Sequence, residues 1–294
     1  MGTNSRPDDQ YTRTWSPSGE IEYATLADGT RLRYLKTGSG STALLLLHTV
    51  RTQLDHFQLV IPRLLEAFTV YAADLPGMGW SDITRGASYN EPALRRAVVE
   101  LIRTLDLAGV ILVGESMGAT IGLTASTELD DRVRHVVAFN PYDYSKGVGR
   151  ANRVASIYVG GASLPAVGTL ITRTENQPVL GIVLRGGLYD TGKLPDHYVA
   201  ELRRVARRPG YSRVAHAVFG NVGSMIAARA LYRHVRVPAT LVYGDHDWSR
   251  PPEREANLAA LRGADSITLP DTGHFAALEQ PARVAEIVLD AVSP

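Results

Sequence analysis

The chain of 294 residues contains no cysteine. That excludes a disulfide framework, a thiolate nucleophile and any zinc site built on sulfur, and it leaves the redox compartment open. Lysine is nearly absent too: only Lys36, Lys146 and Lys193 occur, so almost every cation is an arginine. An excess of one charge is lacking, with 31 Lys and Arg against 30 Asp and Glu and a formal net charge of +1. No basic block or aromatic-basic interleaving suited to a phosphate backbone is seen, so nucleic acid is not an expected partner.

Long hydrophobic runs are missing as well. The longest aliphatic run, Leu44 to Leu47, falls far short of the ~20 residues that span a bilayer, and Met1 to Asp9 lack the apolar stretch of a signal peptide. A cytoplasmic protein without a membrane partner is the expectation. The eight histidines include neither a His-x-x-x-His pair nor His-Glu-x-x-His, so no metal is expected. Gly38-Ser39-Gly40 precedes a strand, and Gly77-Met78-Gly79 lacks the third glycine of a dinucleotide loop, so no cofactor is expected either. A small-molecule substrate remains.

Hydrophobic residues make up 45% of the chain, ample for a substantial core. Residues up to about Glu20 are polar and read as a loosely ordered arm. Ile21 to Leu26 and Arg31 to Leu35 flank Ala27-Asp28-Gly29-Thr30 and predict a hairpin. Ala43 to Leu47 are apolar at every position, as in a strand covered on both faces, and the same kind of strand recurs at Thr69 to Ala73, Val110 to Val113, Val133 to Phe139, Ala239 to Tyr243 and Ser266 to Leu269. Helical patterns fall between most of them, near Phe57 to Ala67, Glu91 to Leu105, Met117 to Leu129, Pro252 to Leu261 and Glu279 to Val292. The alternation predicts an α/β fold: a doubly wound, mostly parallel sheet opened by an antiparallel hairpin. From about Tyr144 to Arg236 the rhythm breaks into amphipathic helical pieces such as Pro195 to Arg207 and Tyr211 to Tyr232. The expected organisation is an arm at 1–20, a core at 21–143 and 237–294, and an inserted helical cap at 144–236, the alternative being extra helices on a sheet face.

Gly114-Glu115-Ser116-Met117-Gly118 carries the chemistry. It sits where the apolar run Val110 to Val113 gives way to a small-residue helical pattern, and its spacing describes a turn so tight that side chains at either glycine would collide. Such a turn holds the Ser116 hydroxyl above the sheet and the Met117 N–H at a helix N-terminus, ready for a developing oxyanion. A serine hydroxyl needs a base, and the base needs a carboxylate to orient it. Gly244-Asp245-His246-Asp247 and Pro270-Asp271-Thr272-Gly273-His274-Phe275 each follow a strand, at the edge that carries Ser116.

With those motifs, and with Asp74-Leu75-Pro76-Gly77-Met78-Gly79-Trp80-Ser81-Asp82, the chain resembles the α/β-hydrolase superfamily from about Ile21 to Val292. The likeness is to its capped, serine-nucleophile members: esterases, carbon–carbon bond hydrolases and perhydrolases. The resemblance implies Ser116 as nucleophile, Asp247 as acid and His274 as base. Asp245 and Asp143 are rival acids; His246 reads as a turn histidine and Glu115 as a structural residue pointing away from the groove. Most relatives have His-Gly after the third strand, whereas this chain has His48-Thr49-Val50-Arg51. By position the Val50 N–H would pair with Met117 in the oxyanion hole. Thr49 could reshape that hole or add a hydroxyl donor, and Arg51 could hold a substrate carboxylate or enolate, or else be a surface arginine paired with Asp55 or Glu66. The implied activity is serine hydrolysis of an ester, lactone or ketone-adjacent carbon–carbon bond. A cofactor-free lyase, cyclase or perhydrolase is the alternative, followed by a non-catalytic binding protein.

Overall fold

In the computed structural model, which describes residues 9–165, 167–174 and 177–291, eight strands form one sheet. They are β1 (Glu20–Thr25), β2 (Arg31–Thr37), β3 (Thr42–Leu47), β4 (Phe68–Ala73), β5 (Val110–Glu115), β6 (Val133–Phe139), β7 (Ala239–Gly244) and β8 (Asp265–Leu269). Their order across the sheet is β1-β2-β4-β3-β5-β6-β7-β8. β2 pairs antiparallel with both β1 and β4, and every pair from β4 onward is parallel. The hairpin turns as its sequence requires: Gly29 takes φ +84°, and the Asp28 carboxylate accepts the Thr30 N–H at 2.8 Å.

The helices are α1 (Gln10–Trp15), α2 (Glu91–Thr104), α3 (Met117–Ser126), α4 (Arg153–Ala162), α5 (Gly168–Thr174), α6 (Gln177–Arg185), α7 (Asp196–Ala206), α8 (Tyr211–Gly220), α9 (Val222–Ala228), α10 (Pro251–Ala260), α11 (Ala276–Glu279) and α12 (Pro281–Asp290). Side-chain alternation explains why the central strands are apolar throughout. Leu45 and Leu47 of β3 and Leu112 of β5 pack with α2 and α3 on one face, while Leu44, Leu46, Ile111 and Val113 pack with α12 on the other. A third cluster holds the helices between β6 and β7 together and joins them to the sheet edge through Tyr142, Trp248 and Phe275. Among the described residues that segment contains no strand, and among the described residues of the whole chain no single helix is long and apolar enough to cross a membrane.

Four expectations need correction. The polar arm is not loosely ordered over residues 10–15: α1 docks by hydrogen bonds that its polar composition hides, Thr12 and Trp15 each donating to the buried Asp55 at 2.7 Å. Residues 1–8 of that arm lie outside the described residues. The helix expected over Phe57 to Ala67 is replaced by two 3₁₀ turns, Leu54–Phe57 and Ile61–Arg63, because Pro62 has no N–H for an α-helical ladder. Proline also divides the last helix, at Pro281. β8, read as covered on both faces, is an edge strand with Asp265, Ser266 and Thr268 exposed.

Candidate active site

Ser116 ends β5 and opens α3 with φ 59° and ψ −118°, a conformation that residues bearing a Cβ avoid. The surroundings enforce it. Ser116 N–H donates to the Phe139 carbonyl across the sheet at 2.8 Å, while its own carbonyl accepts the Thr120 N–H at 3.1 Å to start the helix. The glycines are required by contact distance: a Cβ on Gly114 would lie 2.3 Å from the Gly118 carbonyl, and one on Gly118 would lie 2.1 Å from the Leu47 oxygen.

The loops after β7 and β8 bring the other two residues to this serine. His274 Nε2 stands 2.8 Å from Ser116 Oγ, and its Nδ1 is hydrogen-bonded to Asp247 Oδ1. All three side chains are buried. Burial alone would raise the Asp247 carboxyl, but the adjoining His274 and the hydroxyl and N–H of Ser249 hold it below the ordinary carboxylate range. Asp247 therefore stays ionised and orients the imidazole with its Nδ1 proton towards the carboxylate, so that the Nε2 lone pair faces the Ser116 hydroxyl. Arg254 secures the loop by donating to the Gly244 carbonyl and the Ser249 hydroxyl, both at 2.9 Å.

The rival residues sit elsewhere. Asp143 does not reach the imidazole; its carboxyl accepts the Tyr232 hydroxyl and the Asn257 amide, each at 2.8 Å, and burial pushes it up to about 7. Asp245 caps its loop by accepting the N–H groups of Asp271 and Thr272, both at 3.1 Å. His246 is exposed and stacks on Tyr189. Glu115 points to the far side of the sheet, where it bonds His56 and the Ala277 N–H. The closest approach to a cation site among the described residues is the exposed trio Asp245, His246 and Asp271, whose Asp245 carboxylate those loop N–H groups already engage.

Val50 and Met117 flank one small cavity, and among the described residues the N–H of neither meets a protein acceptor. His48 anchors this loop. Its Nδ1–H donates to the Thr49 carbonyl at 2.7 Å and its Nε2 accepts the Leu75 N–H at 3.0 Å, a pattern that needs the neutral ring. Burial, which lowers its pKa to about 4, keeps it neutral. Thr49 is fully buried, its hydroxyl is unbonded, and it lines neither cavity beside the serine. Arg51 is not the surface arginine that an Asp55 or Glu66 pairing would make it. In a left-handed conformation, φ 62°, it turns under the helical segment, within 3.5 Å of the Tyr158 hydroxyl and over the Tyr211 ring.

Two contributors escaped sequence reasoning. Trp248 lies flat on His274, ring centroids 3.8 Å apart, and donates its indole N–H to the Gly186 carbonyl at 3.1 Å. Asn140, at φ 46°, ties three loops together: its amide donates to the His274 carbonyl at 3.0 Å and its oxygen accepts the Gly244 N–H at 2.9 Å. The signals were slight: an aromatic next to the acid, and an asparagine, which tolerates positive φ, just past a strand.

Beside the serine, a cavity of about 20 Å³ is lined by Val50, Arg51, Tyr158, Leu184, Trp248 and Phe275 among others, and a second of about 10 Å³ by Met117, Tyr142 and Phe219 among others. Each has room for roughly one water. Apart from Arg51 and the tyrosine hydroxyls the walls are apolar, and Tyr158, Leu184 and Phe219 of the helical segment form part of them.

A doubly wound α/β sheet with a serine at a strained strand-to-helix turn defines the class. The chain belongs to the Alpha/beta hydrolase family, whose sequence profile matches residues 44–287. It is 27% identical over 275 residues to an uncharacterized protein of Mycobacterium tuberculosis, covering 88% of this chain and 77% of that one. It is 28% identical over 284 residues to the 2-hydroxymuconate semialdehyde hydrolase of Pseudomonas sp. strain CF600, covering 93% and 94%. Cfl2 of Burkholderia cenocepacia has the same fold, with a TM-score of 0.80 at 20% identity over 92% of this chain and 94% of that one. The chain is thus an enzyme of the hydrolase class.

Proposed function

We propose that the protein is a serine hydrolase that cleaves an ester, a lactone or a ketone-adjacent carbon–carbon bond of a small organic substrate through an acyl-enzyme. The observation that carries this is the unbroken hydrogen-bond series from Ser116 Oγ through His274 to Asp247. In this reading Ser116 Oγ attacks the substrate carbonyl as His274 Nε2 takes its proton, and the oxyanion is received by the N–H groups of Val50 and Met117. The intermediate collapses, His274 returns the proton to the leaving group, and a water deprotonated by His274 releases the acid product. Asp247 keeps the imidazole oriented and stabilises the imidazolium, and the Trp248 ring face adds to that stabilisation.

The helices between β6 and β7 act as the cap. Since each cavity beneath them holds about one water, substrate entry requires these helices to move. Arg51, in the pocket wall, is the contact proposed for a substrate carboxylate or enolate, and Thr49 shapes the oxyanion loop from below. Arg51→Met should then lower kcat/KM for an acidic substrate about tenfold or more, and that for its methyl ester far less. The hydrolase reading is tested by rapid mixing with p-nitrophenyl and lactone substrates. A burst of p-nitrophenolate close to one per active site from the p-nitrophenyl esters, and ring opening of the lactones, both absent from Ser116→Ala, are expected. Turnover that survives in Ser116→Ala would sink the reading and turn attention to lyase chemistry at His274.

A further inference from the structure

On the outer side of the helical segment, away from Ser116, a cleft of about 540 Å³ runs between α5 and the α7–α8 corner. Five arginines line it: Arg173, Arg203, Arg207, Arg208 and Arg213. Among the described residues no aspartate or glutamate joins them. Arg208 is engaged, donating to the carbonyls of Gly79 and Ser81 and lying over the Trp80 ring. The other four form no ion pair with a described carboxylate, and the Nε of Arg203 is buried without a hydrogen-bond partner. This differs from the chain's other arginines, many of which are paired, as Arg150 is with Glu253 and Arg185 with Asp196.

Guanidinium groups gathered without acids repel one another, and an arrangement of this kind is stabilised when an anion sits among them. The cleft adds neutral donors. Ser212 lies in the first turn of α8, whose N-terminus opens into the cleft behind Pro209 and Gly210, and Thr169 lines it from α5, where the Thr172 hydroxyl is taken up by the carbonyls of Gly168, Thr169 and Ser212. Forked, permanently charged donors on several sides suit a compact group with oxygens in more than one direction. That describes a phosphate better than a single carboxylate. The volume exceeds what one inorganic phosphate fills and falls in the range of small-ligand sites.

We propose that this cleft binds a phosphate-type anion: a phosphorylated small molecule or the headgroup of an anionic lipid. The second source is kept because Leu170, next to Arg173 on the α5 surface, is 62% exposed. Isothermal titration of the full chain at low ionic strength, with pyrophosphate and inorganic phosphate as probes, tests it. Co-sedimentation with phosphatidylcholine vesicles, with and without phosphatidic acid, separates the sources. Saturable pyrophosphate binding near one equivalent that weakens as salt rises is expected, with a loss of about tenfold or more in Arg207→Gln/Arg213→Gln. Both residues are exposed, so the pair should fold, and Arg203→Gln gives a second reading of the same cleft. The charge-matched control Arg262→Gln/Arg283→Gln should bind as the wild type does. Pyrophosphate binding alone identifies a free phosphorylated ligand, and arginine-dependent binding to phosphatidic acid vesicles identifies a headgroup. Binding to neither probe, or an equal loss in the control pair, would overturn the proposal.

Discussion

Asp143 and Asp247 leave β6 and β7, adjacent parallel strands, at the same edge of the sheet, and both carboxyl groups are buried, yet their surroundings have opposite effects. Asp247 faces His274 and receives two donors from Ser249, which together outweigh burial and keep it ionised. Asp143 has only neutral donors within bonding distance, Tyr232 and Asn257, so burial dominates and its carboxyl is pushed up to about 7. Burial is common to both and decides neither role. What separates them is whether a partner that can carry positive charge lies within hydrogen-bonding distance: His274 does so for Asp247, whereas Arg229 acts on Asp143 only through space and does not offset burial.

The largest expected effect follows from that difference. Asp247→Asn should lower kcat about 10⁴-fold, because an amide both permits the wrong imidazole tautomer and leaves the imidazolium uncompensated. Asp143→Asn should change kcat by no more than a few-fold; a reversed ranking in steady-state assays would break the comparison.

Asp143 should instead appear in stability. Its native pKa of about 7 lies above the ordinary 3.8, so the folded protein keeps a proton that the unfolded chain releases. That contribution to stability is complete below about pH 4 and is lost as pH rises towards 7, after which it is flat. Urea unfolding of the wild type should therefore show a decline from pH 5 to pH 8 that Asp143→Asn lacks, a difference on the order of 2 kcal/mol. Parallel curves for the two proteins would place the titration elsewhere.

Smaller effects sharpen the contrast. Ser249→Ala removes the hydroxyl donated to Asp247 but spares the backbone N–H at 2.9 Å, so kcat/KM should fall several-fold, by about 1 kcal/mol. The acid limb of its pH profile should move upward as the carboxylate loses a donor. Asp245→Asn touches only the loop, through N–H bonds that an amide oxygen can still accept, and should leave kcat within about twofold.

Much of the site was legible because it is written locally. A strained turn needs glycines two residues either side of the serine, and a buried parallel strand is apolar at every position, so β3, β5 and the Ser116 turn could be read from a few neighbours in sequence. The order of serine, acid and histidine at the ends of β5, β7 and β8 then brought His274 and Asp247 to the same edge. What was missed depends on partners far along the chain. Docking of α1 rests on Asp55, some forty residues away, and nothing in a polar N-terminal segment announces it. Arg51 could be read as a substrate contact or as a surface arginine, and only Tyr158 and Tyr211, from the helical segment, show that it is buried. Trp248 could be suspected from its neighbour Asp247, but its stacking on His274 is settled by the approach of the β8 loop.

We propose that Ser116 is made nucleophilic by His274 held on Asp247. Treatment with a fluorophosphonate, followed by peptide mass spectrometry, tests it most directly. A single adduct on Ser116 is predicted, formed rapidly by the wild type and by Asp143→Asn, greatly slowed in Asp247→Asn and absent from Ser116→Ala. An adduct on a different serine, or labelling of Asp247→Asn at the wild-type rate, would contradict it.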